Sequence, residues 1–89
     1  MTNIEVTRAG EGFQVVVSGG GGQTRHNVRA SAAELQRLAP GIAPARVIEA
    51  AFRFLLDREA KESILARFAL SDVSRYFPEF ERRLSDYLP

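Results

Sequence analysis

The sequence predicts an α+β domain, with a three-stranded antiparallel β-meander over residues 1–30 packed against a bundle of four to five helices over residues 31–89. Two observations predict it. Up to Arg29, apolar and polar residues alternate between glycine-containing turns, the pattern of strands with one buried face. From Ser31 onward the apolar residues recur at helical spacing, punctuated by caps and prolines. At 89 residues the chain is expected to hold one domain with one modest core.

The strands come first. Ile4 and Val6 alternate with Glu5 and Thr7, and Arg8-Ala-Gly-Glu-Gly12 supplies glycines for a tight turn. Phe13, Val15 and Val17 then share a face of a β-branched segment. After Gly19–Gly22, alternation resumes with Thr24, His26, Val28 and Ala30 on one face and Arg25, Asn27 and Arg29 on the other. A meander with one packed and one wet face results.

Ser31-Ala-Ala-Glu34 fits a capping box, and the short helix behind it buries Leu35 and Leu38 before Pro40-Gly41 stops it. Pro44 suits the first position of the next helix, where its missing N–H costs nothing. Over 44–60, Arg46, Glu49, Arg53 and Asp57 form one charged stripe, with Glu49–Arg53 and Arg53–Asp57 pairs. Val47, Ile48, Ala51, Phe52, Phe54 and Leu55 make the rest apolar almost all round. So narrow a stripe implies contact on two sides, in the central core or in a dimer interface. A helix carrying Ile64, Leu65 and Phe68, a turn capped by Ser71, and a last helix opened by Pro78 complete the prediction.

Several chemistries are excluded or disfavoured. Without cysteine there are no disulfides, thiolate metal sites or cysteine nucleophiles. No stretch approaches the apolar length that spans a bilayer, and 1–6 lacks the basic-then-apolar pattern of a signal peptide, so a soluble cytoplasmic protein is expected. The glycine run leads into a strand rather than a helix and no Gly-Lys-Ser/Thr follows, which argues for a hairpin tip over a phosphate loop. His26 is the lone histidine, on an apolar face, too few ligands for zinc and with no triad beside it. Glu59 and Glu62, like Glu79 and Glu81, sit in solvated charge-rich stretches. No enzyme, cofactor or metal is expected.

Net charge is +1 and is spread evenly: three basic and two acidic residues in 1–30, four and four in 31–60, five and five in 61–89. Eleven of the twelve basic residues are arginine and alanine occurs twelve times, the pattern of a GC-rich coding sequence. At the level of segments there is no basic footprint.

One set of residues still points to nucleic acid. Arg25, Asn27 and Arg29 project from one face of a strand, and arginine and asparagine pair with guanine and adenine edges. With Glu34-Leu35, Leu38 and Pro44-Ala-Arg-Val-Ile-Glu-Ala-Ala51 through Leu55, the stretch 24–58 resembles a ribbon-helix-helix DNA-binding domain. That resemblance implies a strand paired with its twin across a dimer, base reading by Arg25, Asn27 and Arg29, and a phosphate held near Ala45 and Arg46. The chain departs from the family in its short first helix, its preceding hairpin and its low charge. A helix-turn-helix over 64–81 ranks lower, since Glu79 and Glu81 would meet phosphates. The first expectation is therefore a non-enzymatic, self-associating interaction module with an unidentified protein partner. The alternative is a DNA-binding regulator, and the segment that pairs with Thr24–Ala30 separates the two.

Overall fold

The computed structural model describes residues 2–88. Four strands, β1 (Asn3–Ala9), β2 (Gly12–Gly19), β3 (Gly22–Arg29) and β4 (Arg67–Ala69), form one sheet in the order β1-β2-β3-β4. Helices α1 (Ala32–Leu38) and α2 (Pro44–Leu56) separate β3 from β4, and α3 (Ser71–Tyr76) and α4 (Phe80–Arg83) follow it. Two 3₁₀ turns, Lys61–Ser63 and Leu84–Tyr87, complete the described elements.

The expected meander forms, with Val6 opposite Val15 and Val15 opposite His26. Gly20 and Gly21, at φ 63° and 89°, are the two central residues of the β2–β3 turn. Such a turn follows the strand twist only if both φ are positive, so these two glycines are conformational necessities. Gly12 is required for another reason. A Cβ there would lie 2.4 Å from the Val28 carbonyl oxygen, so β2 and β3 approach too closely for any side chain.

Several expectations are corrected. The sheet has a fourth strand and is mixed, because β4 pairs parallel to β3 with Asn27 opposite Arg67 and Arg29 opposite Ala69. The segment expected to be a helix around Ile64, Leu65 and Phe68 is instead a 3₁₀ turn, an extended link and this strand. Tertiary pairing overrides local spacing here: the Asn27 amide donates to the Ala66 carbonyl at 2.7 Å and the Leu70 amide to the Arg29 carbonyl at 2.8 Å. The Ala69 amide donates to the Asp72 carboxylate at 3.1 Å, so Asp72 blunts the outer edge of β4. Ser71 thus begins α3 without capping it.

The helix expected over 44–60 ends at Leu56. Beyond it Arg58 folds back, its guanidinium 3.7 Å from the Phe54 ring centroid, with hydrogen bonds to the Phe54 carbonyl and to Glu79. Asp57 accepts from the Tyr87 hydroxyl at 2.6 Å and forms no bridge to Arg53, whereas Glu49–Arg53 does form, at 2.8 Å. Of the capping box, the Glu34 amide donates to Ser31 Oγ as expected.

Val47, Ile48, Ala51, Phe52, Phe54 and Leu55 are all buried within one chain, so α2 is the central core helix. Residues two apart on a helix point about 200° apart. Phe52 accordingly meets His26 and Phe68 on the sheet side, while Phe54 meets Phe77, Phe80 and Tyr87 of the C-terminal segment. Two-sided contact is therefore supplied inside the monomer, and these six residues are not a free dimer surface.

The C-terminal segment is also tied by charge. Glu79 is held below the ordinary carboxylate range by its own backbone amide and then by Arg58, and Glu81 by its hydrogen bonds to Arg37. A carboxylate lowered in the folded state stabilises above its unfolded pKa of about 4.3 and loses that contribution as pH falls through the lower, folded value. In thermal melts the contribution of these two carboxylates should therefore hold from neutrality to about pH 5 and fall in the acid range below. Arg37→Ala, which frees Glu81, should make that fall shallower; an unchanged acid limb would remove the Arg37–Glu81 pair from this account.

Candidate functional site

Two surfaces stand out, and the strand register builds the first. The inner face of the sheet carries Val15, Val17, His26, Val28 and Phe68, all buried. The outer face is therefore made of the alternate residues. Across it run Glu5–Val16–Arg25, Thr7–Gln14–Asn27–Arg67 and Ala9–Gly12–Arg29–Ala69. Arg25, Asn27 and Arg29 do share a face, exposed and about 6.7 Å apart along the strand. Arg67, which sequence reasoning did not connect to them, is brought beside Asn27 at the strand spacing of about 4.8 Å. Arg46 lies in the first turn of α2, in the helical layer on the other side of the sheet.

The strand bearing these residues pairs inside its own chain, with β2 along its length and with β4 over Asn27–Arg29. The free edge that an intermolecular ribbon needs is thus covered at those positions.

Charge is sorted between the layers in a way the segment counts hide. Among the described residues, Arg8, Arg25, Arg29, Arg46, Arg67 and Arg82 have no carboxylate within 4.0 Å. Four of these six lie on strands, which carry one acid between them, Glu5. The helical layer neutralises itself with pairs such as Arg37–Glu81 and Arg58–Glu79.

The second surface is an open groove of about 260 Å³ between the end of α2, the 59–66 link and α3. Leu55, Ile64, Phe68 and Phe77 line it, and Glu59 and Asp72 contribute acids. Leu65 (53% exposed) and Tyr76 (70%) are the two large apolar side chains left exposed among the described residues, and both line this groove. Leu65 is exposed on the extended link, which the sequence pattern read as helix, and Tyr76 on the last turn of α3.

His26 stands behind the groove wall. It is 2% exposed, its Nδ1 lies 2.8 Å from the Leu65 carbonyl oxygen and its Nε2 lies 2.8 Å from the Thr24 hydroxyl. A carbonyl can only accept, so Nδ1 carries a proton and donates; Thr24 can then donate to Nε2. Nδ1 thereby holds the link against the sheet, and Nε2 is engaged by Thr24 of the same strand. Among the described residues no three His, Asp or Glu side chains gather as a metal site would require, and no helix is long and apolar enough to cross a membrane.

The chain matches no protein-family model, no curated protein and no solved structure.

Proposed function

We propose that this protein is a non-enzymatic interaction module that self-associates through the groove between α2, the 59–66 link and α3. The supporting observation is that Leu65 and Tyr76, the large apolar residues left exposed, line one groove. Scattered apolar residues on a surface need no explanation, whereas apolar residues concentrated at one concave site mark a docking surface. A two-fold contact sets a patch against itself, so the patch must contain both members of each pair it makes. This one does: Glu59 faces the groove, and Arg75, 81% exposed at side-chain level and bridged to Asp72 at 3.6 Å in its own chain, adjoins Tyr76. Across a two-fold axis Arg75 of one copy can meet Glu59 of the other while the apolar side chains fill the facing grooves.

Sedimentation velocity over a rising concentration series tests this. The protein should pass from monomer to dimer in the micromolar range, and Leu65→Asp with Tyr76→Ser should stay monomeric. Both positions are exposed and outside the core, so the double variant should keep its melting temperature within the effect of about 0.5 kcal/mol usual for surface changes. A wild-type monomer at every concentration, or a dimer that survives the double substitution, overturns the reading.

A further inference from the structure

We propose that the outer face of the sheet is a duplex nucleic-acid docking surface that grips phosphates through Arg25, Arg29 and Arg67 and reads no bases. It is independent of the groove. Asn27 occupies the middle of the site, with Arg25 and Arg29 two residues to either side on β3 and Arg67 opposite it on β4. All three arginines are exposed and free of carboxylate partners, so no ion pair must break before they meet an anion. Guanidinium is suited to the task because its planar fork of donors matches phosphate oxygens. Asn27, Gln14 and Thr7, in the same row, add neutral hydrogen-bonding groups for the sugar-phosphate backbone.

Dimensions decide against base reading. Four strands at about 4.8 Å put the outermost axes roughly 14 Å apart, before side chains are added. The major groove is about 12 Å wide and admits a helix or a two-stranded ribbon. A four-stranded face therefore lies across the groove on the phosphates and cannot enter it. Single strands are disfavoured because, among the described residues, no aromatic side chain lies on this face to stack on a base. An anionic membrane is the other polyanion such a face could meet, but among the described residues the face offers no large apolar side chain to insert into the headgroup boundary.

The test is fluorescence anisotropy of labelled duplexes of two unrelated sequences, titrated over a salt series. Three neutralised phosphates give a slope of log K against log salt near −2.7, a loss of about 40-fold between 50 and 200 mM. Each single change, Arg25→Gln, Arg29→Gln or Arg67→Gln, should reduce the slope by about 0.9, and the triple variant should lose binding. Arg53→Gln with Arg82→Gln and Arg83→Gln removes the same charge from the helical layer and should bind as wild type does. Circular dichroism melts of each variant keep a folding defect distinguishable from a binding defect.

Equal binding of both duplex sequences supports the proposal. It is overturned by no duplex binding at 50 mM salt, by binding that survives the triple substitution, by equal loss in the helical-layer variant, by preference for one sequence, or by tighter binding of single strands. Arginine-dependent binding to phosphatidylserine vesicles without binding to duplex likewise overturns it and reassigns the face.

Discussion

Phe54→Ala should cost about 4 kcal/mol of stability, within the 3–5 kcal/mol range for deleting a buried aromatic ring. Phe54 is fully buried. The rings of Phe77, Phe80 and Tyr87 meet it edge-on, with centroids 5.8, 5.1 and 5.9 Å away. Arg58 lies across its face at 3.7 Å. Removing the ring takes away the surface against which four side chains from beyond α2 are packed, so the site cannot collapse without shifting the whole C-terminal segment. A domain of this length has roughly 5–13 kcal/mol in total, so the variant loses a large part of its stability. Phe54→Leu keeps most of the volume but none of the edge contacts, and should cost about 1–2 kcal/mol. Urea denaturation read by far-ultraviolet circular dichroism gives both values. A loss below about 1 kcal/mol for the alanine variant would show that the core is not organised around this ring.

His26→Leu should cost about 2–3 kcal/mol, although leucine fills the site with a comparable apolar volume. The cost arises because the Leu65 carbonyl and the Thr24 hydroxyl each lose a partner at a part-buried position. Its effect should also be local. His26 is the side-chain bond between the sheet and the 59–66 link, so amide hydrogen exchange should accelerate over Leu65–Phe68 more than over β1 and β2. The Phe54 variant should instead loosen 77–88. Uniform acceleration in the His26 variant would show that the link is not an element held by this bond.

How much of this was legible in the sequence depends on whether the deciding contacts are local. The meander was legible because alternation and positive-φ glycines act within a few residues of one another. The apolar surround of α2 was legible too, and only the choice between core and dimer was open; Phe77, Phe80 and Tyr87, far along the chain, decide it. β4 was not legible. Ile64, Leu65 and Phe68 have helical spacing, and three residues are too few to show a period of two, so it is the distant pairing with Asn27–Arg29 that defines the strand.

The same non-local pairing explains why the arginine site was half visible. Arg25, Asn27 and Arg29 follow from periodicity, whereas Arg67 joins them only through a parallel register. Even charge along the chain conceals a sorted charge in space, because the helical layer consumes its own arginines. The groove was invisible for a related reason: Leu65 looked like a core residue until the link that carries it proved extended.

The parallel clip of β4 on β3 also sets an order of assembly. β1, β2 and β3 are joined by two-residue loops and can associate as soon as they are made, within the microsecond range of hairpins. Asn27 and Arg67 are separated by the whole of α1 and α2, so their contact must await a long loop closure, and only three residues reward it. During synthesis the β3 edge at Asn27–Arg29 therefore emerges first and stays open until about forty further residues have followed. Over that interval the nascent chain presents an uncovered strand edge to its neighbours, and docking of β4 ends that exposure.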